Sequence, residues 1–525
     1  MGEPDVLVYG ATGAGVLAAV AAAEAGATVR LVEPGRHVGG MVSGGLSWTD
    51  VGTLEAIGGL TRRFYELVAK HYDIGLFEVP GPEPHVAENL LTSMLADAGV
   101  DLVLGERLID AEMDGDRIRA VRTTGGRRPA GVFVDAGYEG DLLAAAGVPY
   151  RVGRESRELH GEIWAGRQPA YRPSRHNFSV ILSPFGDGDS GGLLPFIRPP
   201  ELDRHGWPAE RLGEGDGGLQ AYGFRLCMTD RPANGRPLEE PKGYDPARFE
   251  LLRRYLTADP AHDSAEGWLL GLRRDLLPGG KCDVNSVGPF SLNLLDGSNR
   301  GYPDGDEETR QEIRDRHLAY SHELLYYLQN DDGVPAWIRE QLGGWFLCAD
   351  EFEDTDGWPH QLYVRDARRM VGAAVLTEHD LLNRVRQPDT IAVGSYNIDI
   401  REIERTWRYL PEYLDPLPAS ATGPVSRPGV PAVFNEGYVS VGIEPYAIPY
   451  RAVVPSAEDC ANLLVPICLS ASHVAFASTR TEPTLMALGQ ATGVAAALAA
   501  IGGTSVQRVD VGRLQERLAA DGQPL

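Results

Sequence analysis

The run Gly10-Ala-Thr-Gly-Ala-Gly15 stands between a short apolar stretch, Asp5–Tyr9, and an alanine-rich one, Val16–Ala25. Three glycines in six residues, preceded by a strand pattern and followed by a strong helix-forming pattern, leave few folds open. Thr28–Val32 is β-branched again and leads into Glu33, so the opening residues read as strand, turn, helix, strand, one βαβ unit of a parallel sheet. In the dinucleotide-binding form of this unit the first glycine makes the tight turn, the second admits a pyrophosphate, and the third lets the helix pack on the strand. Gly10 and Gly15 fill the first and third places, and Thr12 stands at the second. An anion still has a seat over Gly13 and Ala14, where the unpaired N–H groups and the dipole of the helix N-terminus favour negative charge. Glu33, 23 residues after Gly10, is placed to accept from a ribose hydroxyl. The alternative is a glycine-rich structural turn without a ligand.

A chain of 525 residues with 43% hydrophobic and 23% charged residues has the composition of a globular protein, which excludes global disorder. Its 49 basic against 74 acidic residues give a net charge of −25, which repels phosphate backbones and anionic lipid, so neither nucleic acid nor a membrane surface is expected as partner. The five cysteines contain no Cys-x-x-Cys pair, so neither a disulfide framework nor a thiolate metal site is implied, and a reducing cytoplasm fits. No signal peptide is evident, and the most apolar runs, Val16–Ala23 and Val494–Ile501, are well under the roughly 20 residues that span a bilayer.

Further along, Val86–Ala98 has helical spacing, while Val100–Leu104, Ile118–Thr123 and Val132–Asp135 read as strands. From about residue 150 the texture turns Pro- and Gly-rich, with helices expected near Asp245–Leu256, Glu307–Gln329 and Val364–Leu382. The α/β texture returns with a buried-strand run at Asn462–Leu469 and a helix at Thr484–Ile501. The expected architecture is therefore α/β. A Rossmann-like cofactor domain, discontinuous over 1–150 and 440–525, receives a large mixed α+β substrate or cap domain at 151–439.

After Glu33 come Arg36-His-Val-Gly-Gly-Met41 and a second glycine pair, Gly44-Gly45, loops that allow close backbone approach to an extended cofactor. Together with Gly10–Gly15 these stretches resemble the FAD-dependent oxidoreductase family related to the succinate dehydrogenase and fumarate reductase flavoproteins. The resemblance continues in Asp135-Ala-Gly-Tyr-Glu-Gly-Asp-Leu142, Val152-Gly-Arg-Glu-Ser156, Gly357-Trp-Pro-His-Gln-Leu-Tyr-Val-Arg365, Gly394-Ser-Tyr-Asn397, Ile448-Pro-Tyr-Arg451 and Leu469-Ser-Ala-Ser-His473 through Gly489-Gln-Ala491. It covers nearly the whole chain and implies FAD and redox chemistry. It further implies that Gly10, Thr12, Gly13, Ala14 and Gly15 hold the pyrophosphate, Glu33 the adenosine ribose, and Arg36, Gly40, Met41 and Gly45 the neighbouring cofactor. Arg107 and Leu108 would lie beside adenine. Asp135, Ala136 and Asp141 would line the inner cofactor edge, and Ser472, Gly489 and Gln490 would face the flavin pyrimidine ring. For Gly489 and Gly493 the alternative is simply close packing of the helix on the sheet.

Catalytic candidates are His473, expected just past a strand end at the flavin, and His360 with Tyr363 in a polar, aromatic loop. Histidine's ordinary pKa suits proton transfer at neutral pH, and each is as readily structural. Arg365 and Arg369, expected at i, i+4 on one helix face, could clamp a substrate carboxylate or phosphate, although salt bridges to the many acids are the commoner use. Arg451, beside Tyr450, carries the same two readings. Cys282 reads as reactive or as a small buried hydrophobe. No metal site is expected. The functional expectation is an oxidoreductase removing a hydride from a C–H beside an alcohol or amine of a small polar metabolite. A non-redox isomerase or lyase, and a flavin monooxygenase with an external donor, stay open. Monomer and homodimer are both compatible with the chain.

Overall fold

The computed structural model describes residues 2–79, 81–169, 174–186, 191–203, 208, 209, 211–258, 276–410 and 429–525. Strand β1 (Val6–Tyr9) is wholly buried and ends at Gly10, whose φ of +97° turns the chain into helix α1 (Gly13–Glu24). A Cβ on Gly10 would stand 2.8 Å from the Ala136 backbone, and one on Gly15 would stand 1.9 Å from the Gly10 carbonyl, so both places require glycine. Thr12, the departure from the glycine pattern, caps α1: its Oγ1 accepts from the Gly15 amide at 3.1 Å and donates to the Ala136 carbonyl at 2.9 Å. One hydroxyl thus ends the turn and ties it to the neighbouring strand.

Strands β2 (Val29–Glu33) and β3 (Asp101–Leu104) follow, separated by helices α2 (Gly59–Tyr72) and α3 (Pro84–Asp97). An antiparallel three-stranded sheet, β4 (Leu108–Asp114), β5 (Arg117–Thr123) and β6 (Gly126–Pro129), precedes β7 (Val132–Asp135). The parallel sheet runs β3-β2-β1-β7 and ends in Leu463–Leu464, a strand supplied by the far end of the chain. Between these parts lie an antiparallel five-stranded sheet centred on Leu226–Thr229, the long helix Glu307–Asn330, and a hairpin of Glu404–Leu410 with Val430–Glu436.

Helix α1 is apolar on every side and is buried on every side, between the sheet and the helix Glu482–Gly502. The two helices cross at backbone contact, since a Cβ on Gly489 or Gly493 would lie 2.1 Å from the carbonyl oxygen of Ala14 or Ala18. Gly489 and Gly493 therefore serve close packing, but on α1 rather than on the sheet. Glu482–Gly502 is also the helix that, among the described residues, has the length and apolarity to cross a membrane, and its apolar surface is largely taken up by this packing.

Two expected elements differ. Val364–Leu382 is not a helix: Arg369–Met370 pairs with Tyr150–Arg151 as a strand, and only Glu378–Leu381 is helical. Arg365 and Arg369 therefore do not share a helix face. The segment is extended because Arg365, Asp366, Arg368 and Arg369 are all buried and reach different partners, which helical spacing cannot satisfy. Within Asn462–Leu469 only Leu463–Leu464 is strand, so eight residues separate the strand end from His473, the first residue of helix His473–Thr479.

Replacing Gly489 with alanine should force the helix pair apart and cost about 1–3 kcal/mol, the usual range for overpacking. A lowered thermal midpoint tests this, and an unchanged midpoint would show that the crossing yields without cost.

Candidate functional site

The turn at the start of α1 presents the amides of Gly13 and Ala14 with no intrahelical carbonyl to receive them. Glu33, at the end of β2, accepts from the amides of Ala11 (2.6 Å) and Gly35 (2.7 Å), one to each oxygen, which leaves lone pairs for a hydroxyl donor. The loop after β2 folds back over the turn. Gly39 donates to the Ala11 carbonyl at 2.6 Å, and Gly40, at φ +57°, lies where a Cβ would meet the Tyr138 hydroxyl at 2.6 Å. Met41 is buried, and its amide donates to that hydroxyl at 2.9 Å. Arg36 is exposed on the same loop, without an ion-pair partner among the described residues. Tyr138 in turn donates to Glu482 Oε1 at 2.7 Å, and Glu482 Oε2 is buried without a partner, 3.3 Å from where a Cβ on Gly13 would sit. These features fit a dinucleotide: free amides for a pyrophosphate, an acid for a ribose, and an orphaned carboxyl at the same helix end.

Other expected cofactor contacts are placed differently. Leu108 gives its amide to the Tyr9 hydroxyl at 2.9 Å, and the Arg107 side chain pairs with Glu307 at 3.2 Å. Asp135 is fully buried and accepts from the amides of Gly137 and Leu143, while Ala136 receives Thr12. Asp141 is held by Arg310 and Arg368 at 2.7 and 2.9 Å, tying the strand end to the inserted segment instead of lining a cofactor edge. Ser472 caps helix His473–Thr479 and donates to Glu162 at 2.5 Å. Gly489 faces α1, and Gln490 accepts from the Leu60 amide at 2.7 Å.

The loop continues away from the turn to a buried polar cluster. Gly45 passes so close to Arg225 that a Cβ would lie 1.9 Å from its carbonyl, and the Trp48 amide donates to Asp283, which is clamped by Arg225 at 2.7 Å. Beyond it the Tyr396 hydroxyl donates to Asp50 at 3.3 Å. These two residues help line a small, partly open pocket whose other wall is Thr481, Pro483 and Thr484, the first turn of helix Glu482–Gly502. Arg480, just before that helix, donates to the Tyr363 hydroxyl at 2.9 Å and to Asp399 at 3.2 Å. Arg365 lies over the Tyr363 ring, 4.2 Å from its centre. Its guanidinium donates to the Ala221 carbonyl and, at 2.9 Å, to Asn293, and it pairs with no carboxylate among the described residues. Burial pulls its pKa down to about 9, with Arg401 and Arg480 adding repulsion, so it remains charged at neutral pH at a cost that an anion would relieve.

The two histidines lie in different surroundings. His473 Nδ1 is 3.1 Å from Asp366 Oδ2, its Nε2 is buried without a partner, and its amide donates to Glu155. His360 stacks on His37 with ring centres 3.9 Å apart, and neither of its nitrogens is bonded. Burial and the neighbouring His37 push its pKa down to about 3, which makes it a neutral ring and a weak base. Arg451 is a surface residue paired with Asp389 at 2.9 Å, away from the cluster, so its catalytic assignment falls. Asp50, Arg225 and Asp399 carry no sequence signal of their own, because segments far apart in the chain bring them together with Tyr396, which lies in the motif Gly394–Asn397.

Burial, the leading cause in each case, pushes four carboxyls, Glu33, Asp135, Glu162 and Glu482, up to about 7. Folded, they keep protons that the unfolded chain releases at ordinary carboxylate values. Their contribution to stability is full below those values and is lost as pH rises through about 7. Glu482→Gln keeps the acceptor for Tyr138 and removes the ionisation. It should raise the thermal midpoint of the cofactor-free protein at pH ~8 and leave it nearly unchanged at pH ~5. Equal shifts at both values would contradict the assignment.

Among solved structures, the chain is similar to L-proline dehydrogenase from P. horikoshii, at 15% identity and TM-score 0.23 over 29% of this chain and 58% of that one. It is also similar to NikD, an unusual amino acid oxidase essential for nikkomycin biosynthesis, at 18% and 0.22 over 30% and 57%. A third is OxyS anhydrotetracycline hydroxylase from Streptomyces rimosus, at 16% and 0.24 over 30% and 36%. The alignment thus spans less than two thirds of each of these chains. No curated protein matches. The sequence profile of the family described as FAD dependent oxidoreductase matches residues 5–518, so the chain belongs to that family and is an oxidoreductase with FAD as cofactor.

Proposed function

We propose that the enzyme is a dehydrogenase or oxidase that removes a hydride from a C–H beside an alcohol or amine of a small metabolite bearing a carboxylate. The observation carrying this reading is Arg365, a buried cation without a carboxylate partner, stacked on Tyr363 beside Arg480. A buried charge left in this way is costly, and an anionic substrate group would supply the missing partner through charge-assisted hydrogen bonds. The bound flavin supplies the hydride acceptor. The chain's residues do the rest. Arg365 and Arg480 orient the anion, and the walls of the pocket beside Asp50 and Tyr396 keep water from the reacting centre. His473 takes the proton of the hydroxyl or ammonium at Nε2, and the Asp366 carboxylate, 3.1 Å from Nδ1 though not hydrogen-bonded to it, favours the resulting cation. His360, neutral and unbonded, offers a hydrogen bond without taking up charge.

Anaerobic addition of small 2-hydroxy and 2-amino acids, with their amides as uncharged controls, should bleach the flavin with the acids only. Arg365→Ala should weaken substrate binding by about 1.5–3 kcal/mol, roughly 10- to 100-fold in KM. His473→Ala should keep FAD bound and slow flavin reduction by about 10²–10⁴-fold. Bleaching by the amides at the same rate would remove the anion seat, and a parent-like rate in the histidine variant would remove the base.

The G-x-G-x-x-G spacing recurs at Gly186–Gly191 and Gly213–Gly218, but among the described residues no helix follows either run to seat a nicotinamide. NADH and NADPH should therefore reduce the flavin slowly or not at all, as followed by stopped-flow absorbance. Rapid stoichiometric reduction would favour the monooxygenase reading.

A further inference from the structure

Away from the cofactor, the antiparallel sheet centred on Leu226–Thr229 pairs that strand with Phe346–Cys348, Phe346 opposite Thr229 and Leu347 opposite Met228. The same register carries Cys348 opposite Cys227, 121 positions away in sequence, and their sulfurs lie 3.7 Å apart. Directly opposed residues of an antiparallel pair have their side chains on one face and within mutual reach. The sulfurs of Cys460 and Cys468 instead meet amide or carbonyl oxygens.

We propose that Cys227 and Cys348 are a redox modification site, a cross-strand dithiol that a peroxide converts into a disulfide. Both cysteines are reduced in this structure. Oxidation proceeds in two balanced steps. One thiol attacks hydrogen peroxide, breaking the O–O bond, and leaves a sulfenic acid and one water. The second thiol then displaces the hydroxyl, forming the S–S bond and a second water. Two sulfurs are oxidised, the peroxide is reduced, and both thiol protons leave in the waters. Bond formation closes the sulfurs from 3.7 Å to about 2.05 Å between strands already in register.

The oxidant has a short path. The pair forms a small apolar cluster of its own with Leu277 and Phe352, separate from the main core. Leu277 and Phe352 reach the surface at 6% and 8% exposure, and their neighbour Leu276 is 55% exposed. Local opening of such a thin cover admits a small neutral molecule. The crosslink also bears on the sheet that holds the cofactor loop. Asp283, facing Cys227 across its other edge, is the residue that grips Arg225 and the Trp48 amide.

The test treats the holoenzyme with hydrogen peroxide, denatures it, labels free thiols with a maleimide, and maps peptides by mass. Five cysteines should yield three labels, with Cys227 and Cys348 in one linked peptide. The linked species should disappear on reduction with dithiothreitol. Cys227→Ser and Cys348→Ser should each yield no linked peptide after the same treatment. Five labels in the parent, a linkage between other cysteines, or overoxidation of either residue without the link would each overturn the proposal. The readout is independent of substrate turnover, so it stands or falls apart from the proposed reaction.

Discussion

The backbone crossing of α1 with the C-terminal helix Glu482–Gly502 is the contact on which the site depends. Gly489 and Gly493 let that helix come down on the carbonyls of Ala14 and Ala18. At the distance set by side chains, Glu482 would not reach Tyr138, and Tyr138 would not hold the Met41 amide over the turn. The same crossing fixes where the helix begins, and so places Arg480 on Tyr363 and Thr481 to Thr484 in the pocket wall. Close approach here exchanges side-chain volume for the alignment of two helix N-termini, an arrangement that favours negative charge.

Around this framework, ion pairs tie the inserted segment to itself and, at Asp141, to the end of the parallel sheet. Asp141 is held by Arg310 and Arg368, Glu155 by Arg369, and Asp283 by Arg225. Such pairs gain little net stability over apolar packing, because desolvation offsets their attraction, but each is costly to break. Their effect is positional. Against that background Arg365 and Arg405 are buried guanidiniums whose described partners are neutral oxygens and aromatic rings, and Arg365 is the one stacked on Tyr363 beside Arg480. The same energetic argument that makes the paired arginines structural makes Arg365 a candidate for binding.

The parts of the fold legible in the sequence were those with a local cause. The βαβ unit follows from apolar runs and a glycine turn, and β1, α1, β2 and α3 stand within a few residues of their expected places. Thr12 was readable as a departure but not as a cap, since its second partner, Ala136, lies 124 positions on. The expected helix at Val364–Leu382 failed because favourable propensity there was outweighed by four charged side chains with separate buried partners. Arg451 looked like its neighbours in the chain and proved to be a surface ion pair.

The sequence by itself determined the cofactor end of the protein. Turn glycines, a helix start and an acid one strand later act over a few residues, and their geometry is set by backbone sterics and the helix dipole. The tertiary structure alone decided the proposed substrate end. Whether an arginine is a salt bridge or a seat depends on which carboxylates reach it, and whether a histidine is a base or an inert ring depends on burial and neighbours. Asp366 beside His473, His37 against His360, and the missing acid at Arg365 are all contacts between distant segments. Desolvation and pairing are properties of the folded interior, and no local pattern encodes them.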